Sequence, residues 1–236
     1  MALPPDLLAR ILEASRSIHG SGSMSASALV RLAKHLGDRA VGHSVETGTG
    51  ASTLVFSHLS QEHTAFAIDT DRSISRVREN PLLHRETVKF VHGPTQKTLP
   101  AHCFHSPIEA ALIDGPHAYP FPDLEYFYLY PHLREGALLV IDDLQIPSIR
   151  NLFRVVSRDD MFRVVEVCGR TAFLERTAAP VFDPQGDGWW LQRFNQRQSW
   201  RYVWLDRWKS AVPKSWQPGA RKQADRLRLF FRGPRR

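Results

Sequence analysis

The stretch Glu46-Thr47-Gly48-Thr49-Gly50-Ala51-Ser52-Thr53 decides how the rest of the chain is read. It follows directly on Val41–Val45, which reads as a β-strand, and leads into a helix that begins near Ser52 and continues through Leu59. A strand, a glycine turn and a helix in that order let the backbone come close to a ligand. They also present the unpaired N–H groups of a helix N-terminus to it. On both sides of this unit short β-like apolar runs alternate with longer helix-like ones, the pattern of a parallel sheet covered on both faces by helices.

Upstream, Leu7–Ile18 and Ala26–Leu36 read as helices, joined by a Gly/Ser loop at Gly20–Ser25. Downstream, strands are expected at Ala65–Ile68, Val88–Val91, Ala110–Ile113 and Ala137–Ile141. Pro122–Leu133 is predicted as an aromatic-rich helix with Gly136 as its stop. Phe162–Val167 and Ala172–Glu175 flank Gly169 as an antiparallel hairpin. The fold class that follows is α/β: a Rossmann-like, doubly wound, mostly parallel sheet with a C-terminal antiparallel hairpin and helices on both faces. In such a sheet ligands bind outside the carboxyl ends of the strands. Here those ends carry Glu46, Asp69, Asp114 and Asp142-Asp143, which predicts acids converging on one crevice. A single strand-end acid is commonly just a helix cap.

Composition bounds the function. The apolar fraction of 42% and charged fraction of 23% are those of a globular protein. No run approaches the roughly 20 apolar residues that span a bilayer. Met1–Arg10, with Pro4, Pro5 and Asp6, lacks the basic-then-apolar order of a secretory leader, so a cytoplasmic protein is expected. Two cysteines, Cys103 and Cys168, provide neither a disulfide framework nor a cysteine zinc site. His102-Cys103-Phe104-His105 has metal-like residue types but no second ligand pair and reads as structural.

The glycine loop suits a dinucleotide pyrophosphate or the amino-acid part of S-adenosylmethionine. Two details favour the second. Thr53 stands where G-x-G-x-x-G needs its third glycine, and Glu46 is an acid poorly suited to a pyrophosphate but able to attract an ammonium group. Asp69, about 20 residues after the glycines, fits an acceptor for ribose hydroxyls, which either cofactor carries.

With Ala-Ile-Asp69-Thr-Asp and Val-His-Gly93-Pro94-Thr95-Gln96 added, the chain resembles the class I methyltransferases over roughly residues 25 to 175. Within them it is most similar to small-molecule O-methyltransferases of the catechol and macrolide-sugar types. The resemblance implies that Glu46, Gly48, Gly50 and Ser52 surround the methionine moiety and that Asp69 holds the ribose. Gly93, Thr95 and Gln96, with Asp114, complete the cofactor site. Ile-Asp114-Gly-Pro-His117-Ala-Tyr119 and Ile-Asp142-Asp143 resemble the segments that hold Mg²⁺ in metal-dependent members, which implies Asp114, Asp142 and Asp143 as ligands. Hard oxygen donors suit that ion, and the metal would acidify a substrate hydroxyl. His117 stands where the catechol type has a lysine base. It can take a hydroxyl proton near neutral pH, so Asp114 and His117 are the implied catalytic pair. Tyr119 is a candidate for the acceptor pocket.

The expected division is a methyltransferase domain over 1–177, with helices and a lid in 1–40, and a Trp-rich basic extension over 178–236. All six tryptophans lie in that extension, from Trp189 to Trp216, and much of the net charge of +7 lies between Arg193 and Arg236. Such a segment can pack on the main domain or on a neighbouring subunit of a homo-oligomer, or contact nucleic acid or an anionic membrane. The functional expectation is O-methylation of a small hydroxylated acceptor. A nucleic-acid or protein methyltransferase recruited by the extension, a non-catalytic binding module and, more remotely, an NAD-dependent oxidoreductase are the competing readings.

Overall fold

A central strand with polar side chains, β1 (Val41–Thr47), organises the computed structural model. Parallel strands β2 (Ser60–Ala67) and β3 (Val88–His92) extend the sheet on one side of it, and β4 (Ile108–Ile113) and β5 (Leu133–Ile141) on the other. The hairpin β6 (Phe162–Cys168) and β7 (Thr171–Arg176) closes the sheet with β7 antiparallel to β5, giving the order β3-β2-β1-β4-β5-β7-β6. The expected doubly wound sheet and its hairpin are thus present. The structure describes residues 2–18, 23–69, 72–186, 188–197 and 199–200, so residues 20–22 of the Gly20–Ser25 lid and all of 201–236 lie outside the described residues.

Residues alternate between the two faces of the strands and feed two separate cores. Ala110, Leu112, Leu138, Val140 and Phe173 face one way and meet α1 (Pro5–Ile18), α2 (Ala26–Gly37) and α3 (Ala51–Leu59). Ala111, Ile113, Leu139, Ile141 and Leu174 face the other, with Leu99 of α5 (Thr95–Ala101), Leu129 of α6 (Phe121–Leu129) and Ile149 and Leu152 of α7 (Pro147–Val156). The short α4 (Ser73–Glu79) follows β2. In α2 the buried set Leu29, Leu32, Ala33 and Leu36 follows the helical period, and Ser25 caps the first turn through Ala28 N–H. Each fully buried leucine of this kind contributes about 1.5–3 kcal/mol.

Gly136 does not stop a helix. α6 ends at Leu129, a 3-10 turn covers Tyr130–His132, and Leu133 already belongs to β5. Pro131, in that turn, has no N–H with which to continue the helical hydrogen-bond ladder. Gly136 sits inside β5 at φ +78, between the pairs Leu133–Ile108 and Leu138–Ala110, where the register shifts. The glycine therefore accommodates an irregularity of the strand.

Two compact units divide the chain, Met1–Asp187 and Gly188–Arg236. The first runs past the expected limit at 177 because Arg176 is buried and donates to the carbonyls of Thr177 and Ala179. The Tyr130 hydroxyl also donates to the Phe182 carbonyl at 2.9 Å. In the second unit a 3-10 turn, Trp189–Leu191, sets the Trp189 and Trp190 rings edge to face at 6.1 Å. Among the described residues, no helix is long and apolar enough to cross a membrane.

Glu175 links β7 to β6 and to the segment between α2 and β1: it accepts from Arg163 at 2.7 Å and Arg39 at 2.8 Å. The hydrogen bond from Arg163, helped by Arg39, lowers its carboxyl pKa. A lowered pKa adds stability above the unfolded-state value and loses it as pH falls through the folded one. Glu175→Gln is expected to cost about 1 kcal/mol at neutral pH. Urea unfolding at neutral and at acidic pH checks this, since the difference from the parent must disappear in acid.

Candidate active site

The glycine loop is braced from beneath by the acid that precedes it. Glu46 is fully buried; its carboxylate accepts from the Ser52 hydroxyl at 2.7 Å and from the Thr53 hydroxyl. His63 Nε2 lies 3.2 Å from Glu46 Oε1. The His63 ring stacks on Phe56 at 4.6 Å, and its Nδ1 lies 2.7 Å from Ser44 Oγ. Thr53 Oγ1 also accepts from Gly50 N–H at 3.0 Å, so strand end, turn and helix start form one hydrogen-bonded knot. The structure thus joins Glu46 and Ser52 to each other, with no carboxylate face open to solvent. Buried carboxylates persist only when so paired.

Gly48 is the point of closest approach between strand ends. It has φ +94, its N–H donates to Phe66 O at 2.8 Å, and a Cβ there would stand 2.5 Å from the Asp114 carbonyl oxygen. The loop is therefore pressed onto the end of β4. Beside it the Thr47 hydroxyl accepts from Asp114 N–H at 3.1 Å and donates to Glu125 at 2.8 Å. Glu125, almost wholly buried on α6, was not singled out by the sequence, because a lone glutamate in an amphipathic helix ordinarily faces solvent. Burial pushes its carboxyl up to about 7. His63 was missed for a similar reason: nothing in its own strand announces that it meets Glu46.

The strand-end acids do not all converge. Asp69 caps α4, accepting from the backbone N–H groups of Ile74 and Ser75 and from the Ser75 hydroxyl. The Ser75 hydroxyl bond lowers its pKa. Gly93 turns β3 toward α5, where Thr95 is buried and Gln96 exposed. Asp142 is buried and turned toward Thr171, whose hydroxyl donates to it; burial raises its pKa.

What converges is Asp114, His117 and Asp143, whose candidate ligand atoms all lie within 4.8 Å of one another. His117 Nε2 is 3.5 Å from Asp114 Oδ1 and 3.4 Å from Asp143 Oδ2. This differs from the expected Asp114, Asp142 and Asp143 set: histidine takes the third place and Asp142 serves the hairpin. Asp143 adopts φ +59, a left-handed backbone that asparagine and aspartate tolerate. The Gln145 side chain steadies it at 2.7 Å, and Ser148 of α7 donates to the His117 carbonyl. Burial pushes the Asp114 carboxyl up to about 7, while hydrogen bonding to Asp114 raises the His117 imidazole, with the charges of Asp114 and Asp143 adding to it. Both groups therefore hold a proton more strongly than they would free in water.

Tyr119 is 78% exposed and so lies at the rim rather than in a lined pocket. Tyr126 packs with Tyr130 and Phe162 as core. His102 packs edge-on against Phe66 and Phe104, in keeping with a structural reading of the His102–His105 segment.

Two glycines with positive φ separate strain from contact. Gly136 has nothing within 4 Å of an added Cβ, whereas Gly48 meets the Asp114 carbonyl. Gly136→Ala is expected to cost about 1–2 kcal/mol through backbone strain alone. Gly48→Ala must cost distinctly more. Thermal unfolding of both variants tests this; equal losses would mean that the loop is not pressed on β4.

A family model described as a methyltransferase domain matches residues 45–144, a span that holds every strand-end group described above. No curated protein matches the chain in sequence. Among solved structures it is similar to a putative O-methyltransferase from Klebsiella pneumoniae, with 14% identity and TM-score 0.59, over 75% of this chain and 92% of that one. It is also similar to an O-methyltransferase from Bacillus cereus in complex with SAH, with 12% identity and TM-score 0.58, over 74% and 92%. A third is TomG from Streptomyces achromogenes, an O-methyltransferase involved in tomaymycin synthesis, in complex with SAM. It has 14% identity and TM-score 0.55, over 75% and 92%. Residues 45–144 thus match a methyltransferase-domain model, and the chain shares the fold of these O-methyltransferase structures.

Proposed function

We propose that the protein transfers the methyl group of S-adenosylmethionine to a hydroxyl oxygen of a small acceptor, with His117 as the base. The observation that carries this reading is the convergence of His117 with Asp114 and Asp143 next to the loop pressed on β4. O-methyltransferases of the same fold, one with SAM and one with SAH, support the choice of donor and of oxygen as acceptor.

In the reaction the acceptor oxygen forms a bond to the methyl carbon as the carbon–sulfur bond breaks, in line. S-adenosylhomocysteine leaves as a neutral thioether and the hydroxyl proton passes to His117 Nε2. Such a displacement depends mainly on alignment and exclusion of water. Gly48 and Gly50 let the cofactor approach the backbone, with Glu46 and Ser52 holding that loop from below. Asp69 accepts from the ribose with lone pairs left over from its helix cap. Gly93, Thr95 and Gln96 border the adenine. Asp114 and Asp143 orient the imidazole and stabilise it once protonated, as the carboxylate does in a serine-protease triad.

The same two carboxylates fit Mg²⁺, which is bound through one or two carboxylates and keeps several waters. Asp114 and Asp143 would hold it, and Asp142, turned to Thr171, would not. Bound metal would acidify the acceptor hydroxyl.

Calorimetric titration with S-adenosylmethionine tests the donor; absence of binding by folded protein refutes the proposal. Replacing His117 with Gln should lower kcat about 10²–10⁴-fold with little change in S-adenosylmethionine affinity. An unchanged kcat would dismiss His117 as the base. Asp143→Asn should abolish any stimulation by Mg²⁺, whereas Asp142→Asn should leave it intact. Turnover indifferent to chelator removes the metal from the scheme.

A further inference from the structure

We propose that residues 188–236 form a binding segment for anionic lipid that holds the methyltransferase domain against a bilayer surface. The charge of the chain is divided between its two units. Of 31 lysines and arginines, 13 fall in 188–236, against only two of the 24 acids, giving this segment a net +11 and the preceding 187 residues a net −4. The aromatic content is divided in the same way. All six tryptophans are in 188–236, and none is in the unit that carries the sheet.

Tryptophan in a globular unit is normally packed, yet Trp189, Trp190 and Leu191 are 46%, 56% and 69% exposed in succession. Trp200, Trp204 and Trp208 recur at four-residue intervals in the sequence, with Arg201, Arg207 and Lys209 among them. Interleaved arginines interrupt any run long enough to span a bilayer. Tryptophan rings settle at the headgroup level of a membrane, and basic residues beside them are drawn to anionic lipid. The basic segment offsets the repulsion between the acidic unit and a negatively charged surface.

Nucleic acid offers phosphate too, and its bases stack on aromatic rings. The segment, however, adds apolar groups that gain nothing from stacking on bases and do gain from contact with acyl chains. Leu205 stands among the tryptophans, and Leu227 and Leu229 alternate with Arg226 and Arg228. Alternating arginine and apolar residues match a charged headgroup layer over hydrocarbon.

Because every tryptophan lies in this segment, intrinsic tryptophan fluorescence of the full chain reports on it alone. The protein is titrated with vesicles of phosphatidylcholine and with vesicles that also contain phosphatidylglycerol. Emission is expected to shift to the blue and become shielded from acrylamide only with the anionic vesicles. Partitioning to them should be at least about tenfold tighter and should weaken as salt is raised. Arg221→Gln combined with Lys222→Gln, Arg226→Gln and Arg228→Gln should abolish the preference for anionic lipid. Trp204→Ser with Trp208→Ser should weaken binding to the same vesicles. Any of three results overturns the proposal: no response to anionic vesicles; emission already blue and shielded without lipid; or tighter binding to a single-stranded RNA oligonucleotide than to vesicles at equal phosphate. The readout involves no turnover, so it stands apart from any failure of the methyl-transfer reading.

Discussion

A carboxylate sealed into the middle of a sheet sets the conditions for everything around it. Glu46, fully buried near the end of the central strand, accepts two side-chain hydrogen bonds from the next helix and lies against an imidazole of the neighbouring strand. Ser52 and Thr53 fix the start of α3, and His63 fixes the neighbouring strand. Removing the acid would leave several buried donors unpaired, a loss of several kcal/mol rather than the worth of one bond. The glycine loop is rigid because of what lies under it, and its close approach to β4 follows.

That approach places the ends of β1 and β4 in register for chemistry. Thr47 joins the two, accepting from Asp114 N–H and donating to Glu125, so that α6 is tied to the same point. Two acids near one imidazole would repel each other if both were charged and alone. The histidine between them offsets that repulsion, while burial holds the Asp114 carboxyl above the usual carboxylate range. β5 ends at Ile141, and the left-handed backbone of Asp143 turns the chain just beyond it. Asp143 consequently reaches the cluster and Asp142 reaches the hairpin, although the two are neighbours in sequence.

The two units also divide their physical properties. The sheet-bearing unit is acidic and buries its apolar residues in two cores, one on each face of the sheet. The segment after Asp187 collects the tryptophans and most of the excess positive charge. Packing of Arg176, Tyr130 and Phe182 brings the residues just beyond β7 into the first unit, which a change of composition near Ala178 had suggested belonged to the second.

By itself the sequence determined the alternation of strands and helices, the glycine loop, the closing hairpin and the identity of the strand-end acids. Those features are local: they depend on periods of 2 and 3.6 residues and on glycine, which a single chain displays in order. Even there Gly136 misled, since positive φ serves a strand irregularity as well as a helix end, and only the pairing of β5 with β4 distinguishes them. Tertiary structure alone decided what each acid does. Glu46 is a brace, Asp69 a cap, Asp142 a support for the hairpin, and Asp114 with Asp143 the partners of His117. Glu125 and His63 entered the site only through contacts with residues 78 and 17 positions away. Direction at a strand end, and the depth to which a carboxylate is buried, are set by neighbours distant in sequence, and no local pattern records them.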